Sequence, residues 1–314
     1  VIPLKTLRYS SKPDQLWGIN FQRVISSNQE KAHWSQISRQ FTVNRLISAG
    51  KLEGVKIPLS KSMKFIPYAL GQVNSVNDSS KTNSNDNDLG FDGKVNLGSA
   101  LTLDFTYNTD FAQAEADEQQ INLDRFSLFF PEKRAFFLEN AGLFSIGEST
   151  RGGSELSMFF SRRIGIDEIG QQIPITAGGR LTGTFSDMRV GLLSMSTKSE
   201  DFSIVRLKKE MPNRTFFGGM VTNLNDLSTS GYSNQVYALD GQLGIGEISQ
   251  IDGFMAISKT PNLSNDKAYS YRLSASRSAQ AVQTVMSYTE IGENFNPEMG
   301  FLKRSGGSRK WSGR

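Results

Sequence analysis

The sequence predicts an all-β protein: an antiparallel transmembrane-type β-barrel, incomplete in this fragment, preceded by the end of a β-sandwich. Three observations carry that expectation. Apolar and polar residues alternate through most of the chain after Met63, and turn residues punctuate the runs while helical periodicity is nearly absent. The hydrophobic fraction is only 37%, with Gly 29 and Phe 21, as expected of a wall in which every second residue faces a polar lumen. Soluble sandwiches also alternate, with strands of about five or six residues. The longer runs here, the small residues opposite apolar ones and the Tyr and Phe toward strand ends favour the barrel over a soluble all-β interaction protein.

Composition excludes several chemistries. Cys is absent and His33 is the single histidine, which removes disulfides and thiolate chemistry and argues against a histidine-based catalytic or metal centre. The 35 basic and 31 acidic residues are interspersed and give a net charge of +4, so nucleic acid is not expected as a partner. Neither a phosphate-binding loop nor a dinucleotide fingerprint occurs, so no cofactor and no metal are implied. No apolar run reaches about 18 residues, so a bilayer would be crossed by strands alone. The chain opens at Val1 inside a strand-like pattern and ends in a Gly, Ser and Arg tail; it reads as a piece of a longer protein, and its lack of a targeting segment carries no information.

Residues 1–40 read as the C-terminal part of the sandwich plus a linker. In the run 15–25, Trp17, Ile19 and Phe21 share one face. Trp17 and Trp34 are candidates for a sugar-stacking platform, with core packing the commoner role for such residues. Gly50, Gly54 and Pro58 break residues 37–62 into short extended pieces. Residues 41–314 are assigned to the barrel. In 63–73, Pro67 lacks a ladder donor and predicts an edge or bulge position. Residues 75–90, rich in Asn, Asp and Ser, read as a solvated loop without the order of a calcium loop. Residues 94–108 read as one long strand with Val95, Leu97, Leu101, Leu103, Phe105 and Tyr107 on a single face. Further strands follow residue 175, separated by turns at 186–187 and 211–213 and continuing through Tyr269, Tyr271 and Leu273 to Met286 and Tyr288.

Between these regions lies a charged inserted segment, 109–175. Asp110, Glu115, Asp117, Glu118 and Asp124 precede Arg125, Lys133, Arg134, Arg162 and Arg163, with Glu132 and Glu139 between phenylalanine pairs. The two signs together predict a brace or plug in the barrel lumen or at its periplasmic mouth, where the Arg fork suits carboxylates. Glu115 with Asp117, or Glu132 with Glu139, is also a candidate glycosidase pair, since that chemistry needs two facing carboxylates.

Asp110-Phe111, Glu115-Ala116-Asp117, Phe130-Pro131-Glu132-Lys133-Arg134, Phe136-Phe137-Leu138-Glu139 and Ser161-Arg162-Arg163-Ile164-Gly165 resemble, over about residues 40–175, Gram-negative envelope proteins labelled carbohydrate-binding family 9 domain-containing. In that family a small β-sandwich precedes a long C-terminal region of unknown function, understood as an outer-membrane barrel. The resemblance implies a cell outer-membrane location, lipid as a partner and a glycan as one candidate ligand. The function classes left open are envelope transport or surface ligand binding, glycan binding or hydrolysis through the sandwich, and a purely structural brace.

Overall fold

The computed structural model describes residues 14–39, 41–55, 63–76, 82–98, 100–109, 129–150, 153–166, 173–229 and 231–314. Residues 14–55 form two small antiparallel ladders. The first pairs β1 (Gln15–Ile19) with β4 (Gly50–Val55), joining residues on either side of residue 40. The second pairs β2 (Gln22–Ile25) with β3 (Glu30–His33).

The rest of the chain is organised by one 12-stranded antiparallel sheet. Its strands are β5 (Met63–Val76), β6 (Thr82–Leu97) and β7 (Leu101–Thr109), then, after the insert, β10 (Ile175–Phe185), β11 (Met188–Thr197), β12 (Glu200–Met211), β13 (Thr215–Asp226), β14 (Ser233–Ile245), β15 (Ser249–Lys259), β16 (Tyr269–Ser278), β17 (Gln283–Ile291) and β19 (Ser308–Gly313). Each strand pairs with the next in this order. β5 lies at one edge, which accommodates Pro67.

Two sequence readings are corrected. Residues 94–108 are a hairpin rather than one strand: Leu97 pairs with Leu101 and Val95 with Leu103, and Gly98 turns the chain at φ +78, where an L side chain would be strained. The shared apolar face survives because paired residues point to the same side of a sheet. The expected loop 75–90 is largely strand, since β6 pairs with β5 from Thr82 onward. Its last pair with β7 is Phe91 with Tyr107, so residues 82–90 pair only with β5. A hairpin with one neighbour has little to bury, which is compatible with polar composition.

Register reveals the polarity of the sheet. One row of paired residues runs Leu103, Leu181, Leu192, Val205, Val221, Tyr237, Ile257, Tyr269 across eight strands, and none of these side chains is buried. The row beside it runs Thr102, Thr182, Gly191, Arg206, Met220, Ala238, Ala256, Ser270 and is buried throughout. The next inward row, Asp104, Arg180, Leu193, Ile204, Thr222, Val236, Ser258, is buried as well. The apolar side of the alternation is therefore the exposed side, the reverse of the usual half-buried strand in water.

What covers the inner face is the insert together with the segment after β17. Thr109 pairs with Ile175, so the chain leaves and re-enters the sheet at neighbouring positions. Its described part holds a short helix, α1 (Ala135–Leu138), a 3-10 turn (Ala141–Phe144) and the strands β8 (Gly147–Thr150) and β9 (Gly153–Ser157). β18 (Phe301–Leu302) adds to β9. Phe137, Leu143, Phe144, Ile146, Leu156, Met158 and Ile164 form one core with inward residues of β11–β15 and with Phe295 and Met299.

Candidate functional site: the charged junction between insert and wall

Two inward arginines of the sheet grip the backbone of the insert. Arg180 on β10 stands opposite Asp104 on β7 and donates to Asp104 Oδ2 from Nη2 at 2.7 Å and from Nε at 3.2 Å. Its Nη1 donates to the carbonyl oxygens of Phe136 and, at 2.7 Å, Glu139, while the guanidinium lies 4.8 Å from the Phe136 ring centre. Lys94 on β6 joins the group, 3.5 Å from Asp104 and in contact with Glu139. Arg206 on β12 repeats the pattern, with Nη1 and Nη2 2.6 and 2.7 Å from the two oxygens of Asp240 and Nε 3.1 Å from the carbonyl oxygen of Leu143. Gly218 makes room for this pair: a Cβ there would fall 2.5 Å from Arg206 Nη1.

The physical logic is that of buried cations. Arg180 and Arg206 are 2% and 1% exposed, and a guanidinium does not escape burial by losing its proton. Each must fill its fork with acceptors. Both divide their donors between a wall carboxylate and carbonyls at the ends of α1 and the 3-10 turn, groups that lack partners within a helical turn.

A third lock lies inside the insert. Arg134, 6% exposed, bonds Glu132 through Nη2 at 2.7 Å and Nε at 2.9 Å. It also donates to the carbonyl oxygens of Ile164 at 2.6 Å and Ser161 at 2.7 Å. Ser161 Oγ returns a bond of 2.6 Å to Glu132, and the Arg134 guanidinium sits 4.3 Å from the Phe137 ring centre. The two sequence motifs around residues 132 and 161 are thus halves of one knot. Burial pushes the Glu132 carboxyl up, but the Arg134 guanidinium and the Ser161 hydroxyl outweigh it and hold it below its ordinary value. Kept ionised with both oxygens occupied, Glu132 is a poor proton donor and a good anchor.

The other predicted residues divide. Arg163 Nε donates to the carbonyl oxygen of Glu298 at 3.0 Å. Arg162 reaches Pro131 O at 3.3 Å and lies over Phe130. Lys133 and Glu139 are exposed, Glu139 holding Lys94. Asp110, Glu115, Asp117 and Glu118, with Asp124 and Arg125, lie outside the described residues. Trp34 meets Phe21 edge to face at 6.1 Å and is 62% exposed, while Trp17 is half-buried and donates to Gln15 at 3.3 Å. Among the described residues no group of His, Asp and Glu is arranged to hold a metal ion.

Sequence reasoning missed Lys94, Asp104, Arg180, Arg206 and Asp240. The signal was a charge in mid-strand on the same parity as inward residues, as Arg206 follows Phe202 and Ile204. It was hidden because the partner of each charge sits on another strand, and only register brings the two together.

A cavity of about 330 Å³ adjoins these locks, lined by Phe129, Glu132, Phe137, Phe144, Phe160 and Arg180 among others. A larger groove, about 690 Å³, lies on the outward face between Phe217, Leu239 and Met255. It is the space that Gly219 and neighbouring outward side chains leave in the apolar belt, and it holds none of the charged junction.

Residues 61–180 match a family described as Domain of unknown function (DUF5916). The matched stretch runs from the start of β5 through the insert to Arg180, and so contains Asp104, Glu132, Arg134 and Glu139. No curated protein matches the chain.

Proposed function

We propose that the chain forms the wall and internal plug of an outer-membrane β-barrel in a Gram-negative envelope, serving transport or ligand capture at that membrane. The observation that carries this is the inverted polarity of the sheet. Leu239 and Leu273 are 60% exposed, Met255 58% and Phe217 60%, within a belt that continues from strand to strand. In water a continuous apolar patch much beyond about 300–600 Å² is unusual for a monomer; against hydrocarbon it is the expected outer surface, with polar residues and ion pairs turned to the lumen.

Register supports a curved wall. The outward row passes through Leu103, six residues from the end of β7 at Thr109, and through Tyr269, the first residue of β16 on the same side of the sheet, seven strand spacings away. Six residues along against seven spacings across is about 20 Å against about 34 Å, a tilt of about 30°, near the 35–45° of barrels. With 12 strands alternating in direction, the edge strands β5 and β19 run antiparallel, as closure requires. Glu139 touches Lys94 on β6 and Glu148 touches Lys310 on β19, so one compact stretch of insert reaches both ends of the strand order. The connections 186–187, 212–214, 246–248 and 279–282 at one end are all short, whereas the other end carries, besides the two-residue 198–199, the longer 260–268 and 292–307, in keeping with the asymmetry of outer-membrane barrels. Arg45 donates to the carbonyl oxygen of Glu247 at 2.8 Å, a contact at the short-turn end, which fits a periplasmic N-terminal module. Carbohydrate binding by that module is the second reading, favoured by the exposed Trp34 beside Phe21.

Fractionation tests the main reading. The protein is expected in outer membranes, extracted only by detergent. Recovery of folded, monodisperse protein from detergent-free buffer would refute the barrel and leave a soluble all-β protein in its place.

A further inference from the structure

A carboxylate interrupts the apolar outer face. Glu290 near the end of β17 points outward, paired with Tyr271 on β16 and Arg309 on β19. It is nevertheless only 7% exposed, because it is roofed by donors. The hydroxyls of Tyr288, Tyr271 and Tyr269 reach its carboxylate at 2.6, 2.8 and 3.0 Å, and Arg309 Nε lies 3.2 Å away. Tyr288 packs on Trp311 with ring centres 4.5 Å apart, and Trp311 is 81% exposed.

The cluster is ordered by height. Glu290 and Arg309 occupy the positions one residue inside the loop end of their strands, and Tyr288 and Trp311 lie two residues further toward the belt. The tyrosine rings stay with the apolar surface while their hydroxyls reach up to the carboxylate. Amphipathic rings stand in this way where hydrocarbon gives over to headgroups. Arg309 then has a defined orientation. Its Nε is spent on Glu290, its side chain is 74% exposed, and the exposed Trp311 stands two residues along the same strand.

We infer that Arg309, oriented by Glu290 and flanked by Trp311, binds the phosphate of an anionic lipid headgroup at the loop end of the wall. A planar guanidinium with its terminal nitrogens free offers two parallel donors to phosphate oxygens. Three phenol hydroxyls share the negative charge of Glu290, so Arg309 is not its sole partner. The inference rests on the barrel reading, and its test separates the two.

Trp17→Phe and Trp34→Phe leave Trp311 as the only tryptophan of the chain. The protein is folded into phosphatidylcholine vesicles containing a minor share of phosphatidylglycerol, with brominated acyl chains placed on one lipid or the other. Trp311 is expected to be quenched by both lipids, and by the anionic one as though it were enriched about fivefold, the scale set by one basic residue at a membrane surface. Arg309→Gln should remove the enrichment and leave quenching by brominated phosphatidylcholine unchanged. Equal quenching by both lipids in the parent, or enrichment that persists in Arg309→Gln, would each overturn the lipid site while leaving the barrel standing. Absence of quenching by either lipid would overturn the barrel and the site together.

Discussion

Replacing Arg206 with methionine keeps most of the side chain's length and removes its charge. In the folded protein Asp240 then loses both of its short bonds, at 2.6 and 2.7 Å, and the Leu143 carbonyl oxygen loses its donor at 3.1 Å. Arg206 is 1% exposed and the Asp240 side chain 11%, so little water is available to replace the guanidinium. Breaking a buried pair by removing one partner costs about 3–5 kcal/mol, and the orphaned carbonyl adds about 1 kcal/mol. A loss of about 4 kcal/mol is about a thousandfold in the folding equilibrium. The assay is reversible urea unfolding in detergent or bilayers, read against Arg189→Met as a reference. Arg189 and Glu210 form a pair whose side chains are 43% and 51% exposed, so that change should cost about 0–1 kcal/mol. Adding Asp240→Leu to Arg206→Met removes the stranded carboxylate and should recover much of the loss. Because Arg206 also holds the insert, the single variant should raise ion leakage in a planar bilayer. A cost no larger than that of Arg189→Met, with leakage unchanged, would refute the claim that wall arginines hold the plug.

The Glu132 knot should be acid-sensitive. Its carboxyl is held below the ordinary value by Arg134 and Ser161 against the opposing effect of burial; a depressed folded value means the contribution is complete above the unfolded value and is lost as pH falls through the folded one. Amide protection of residues 132–164, corrected for the intrinsic pH dependence of exchange, should therefore fall on acidification, and Glu132→Gln should flatten that dependence; an unchanged acid limb in the variant would show that another group is responsible. If the N-terminal module retains glycan, the exposed Trp34 is the residue to carry it. Trp34→Ala should then abolish retention on an immobilised glycan without changing the melting temperature, whereas equal retention by Trp34→Ala and the parent protein would exclude that platform.

By itself the sequence determined the all-β class, most strand positions and the pairing of apolar with apolar along each strand, because side-chain alternation is a local property of an extended chain. Thus Tyr269, Tyr271 and Leu273 were legible as one face from spacing alone, and 186–187 as a tight turn from the runs on either side. Local pattern does not say which face looks inward. That was decided by the tertiary structure, in which the insert and the segment after β17 fill one side and leave Leu239 and Leu273 on the other. Gly98 shows the same limit on a smaller scale: alternation continues across it unbroken, and only the pairing of Leu97 with Leu101 exposes the hairpin. The ion pairs were the least legible feature. Asp104 meets Arg180, and Arg206 meets Asp240, across 76 and 34 residues of chain, a separation at which a charge in one strand carries no mark of its partner. Such pairs exist because strand register sets the two groups at bonding distance and the packed insert withholds water from them, and both conditions arise only when the whole sheet has formed.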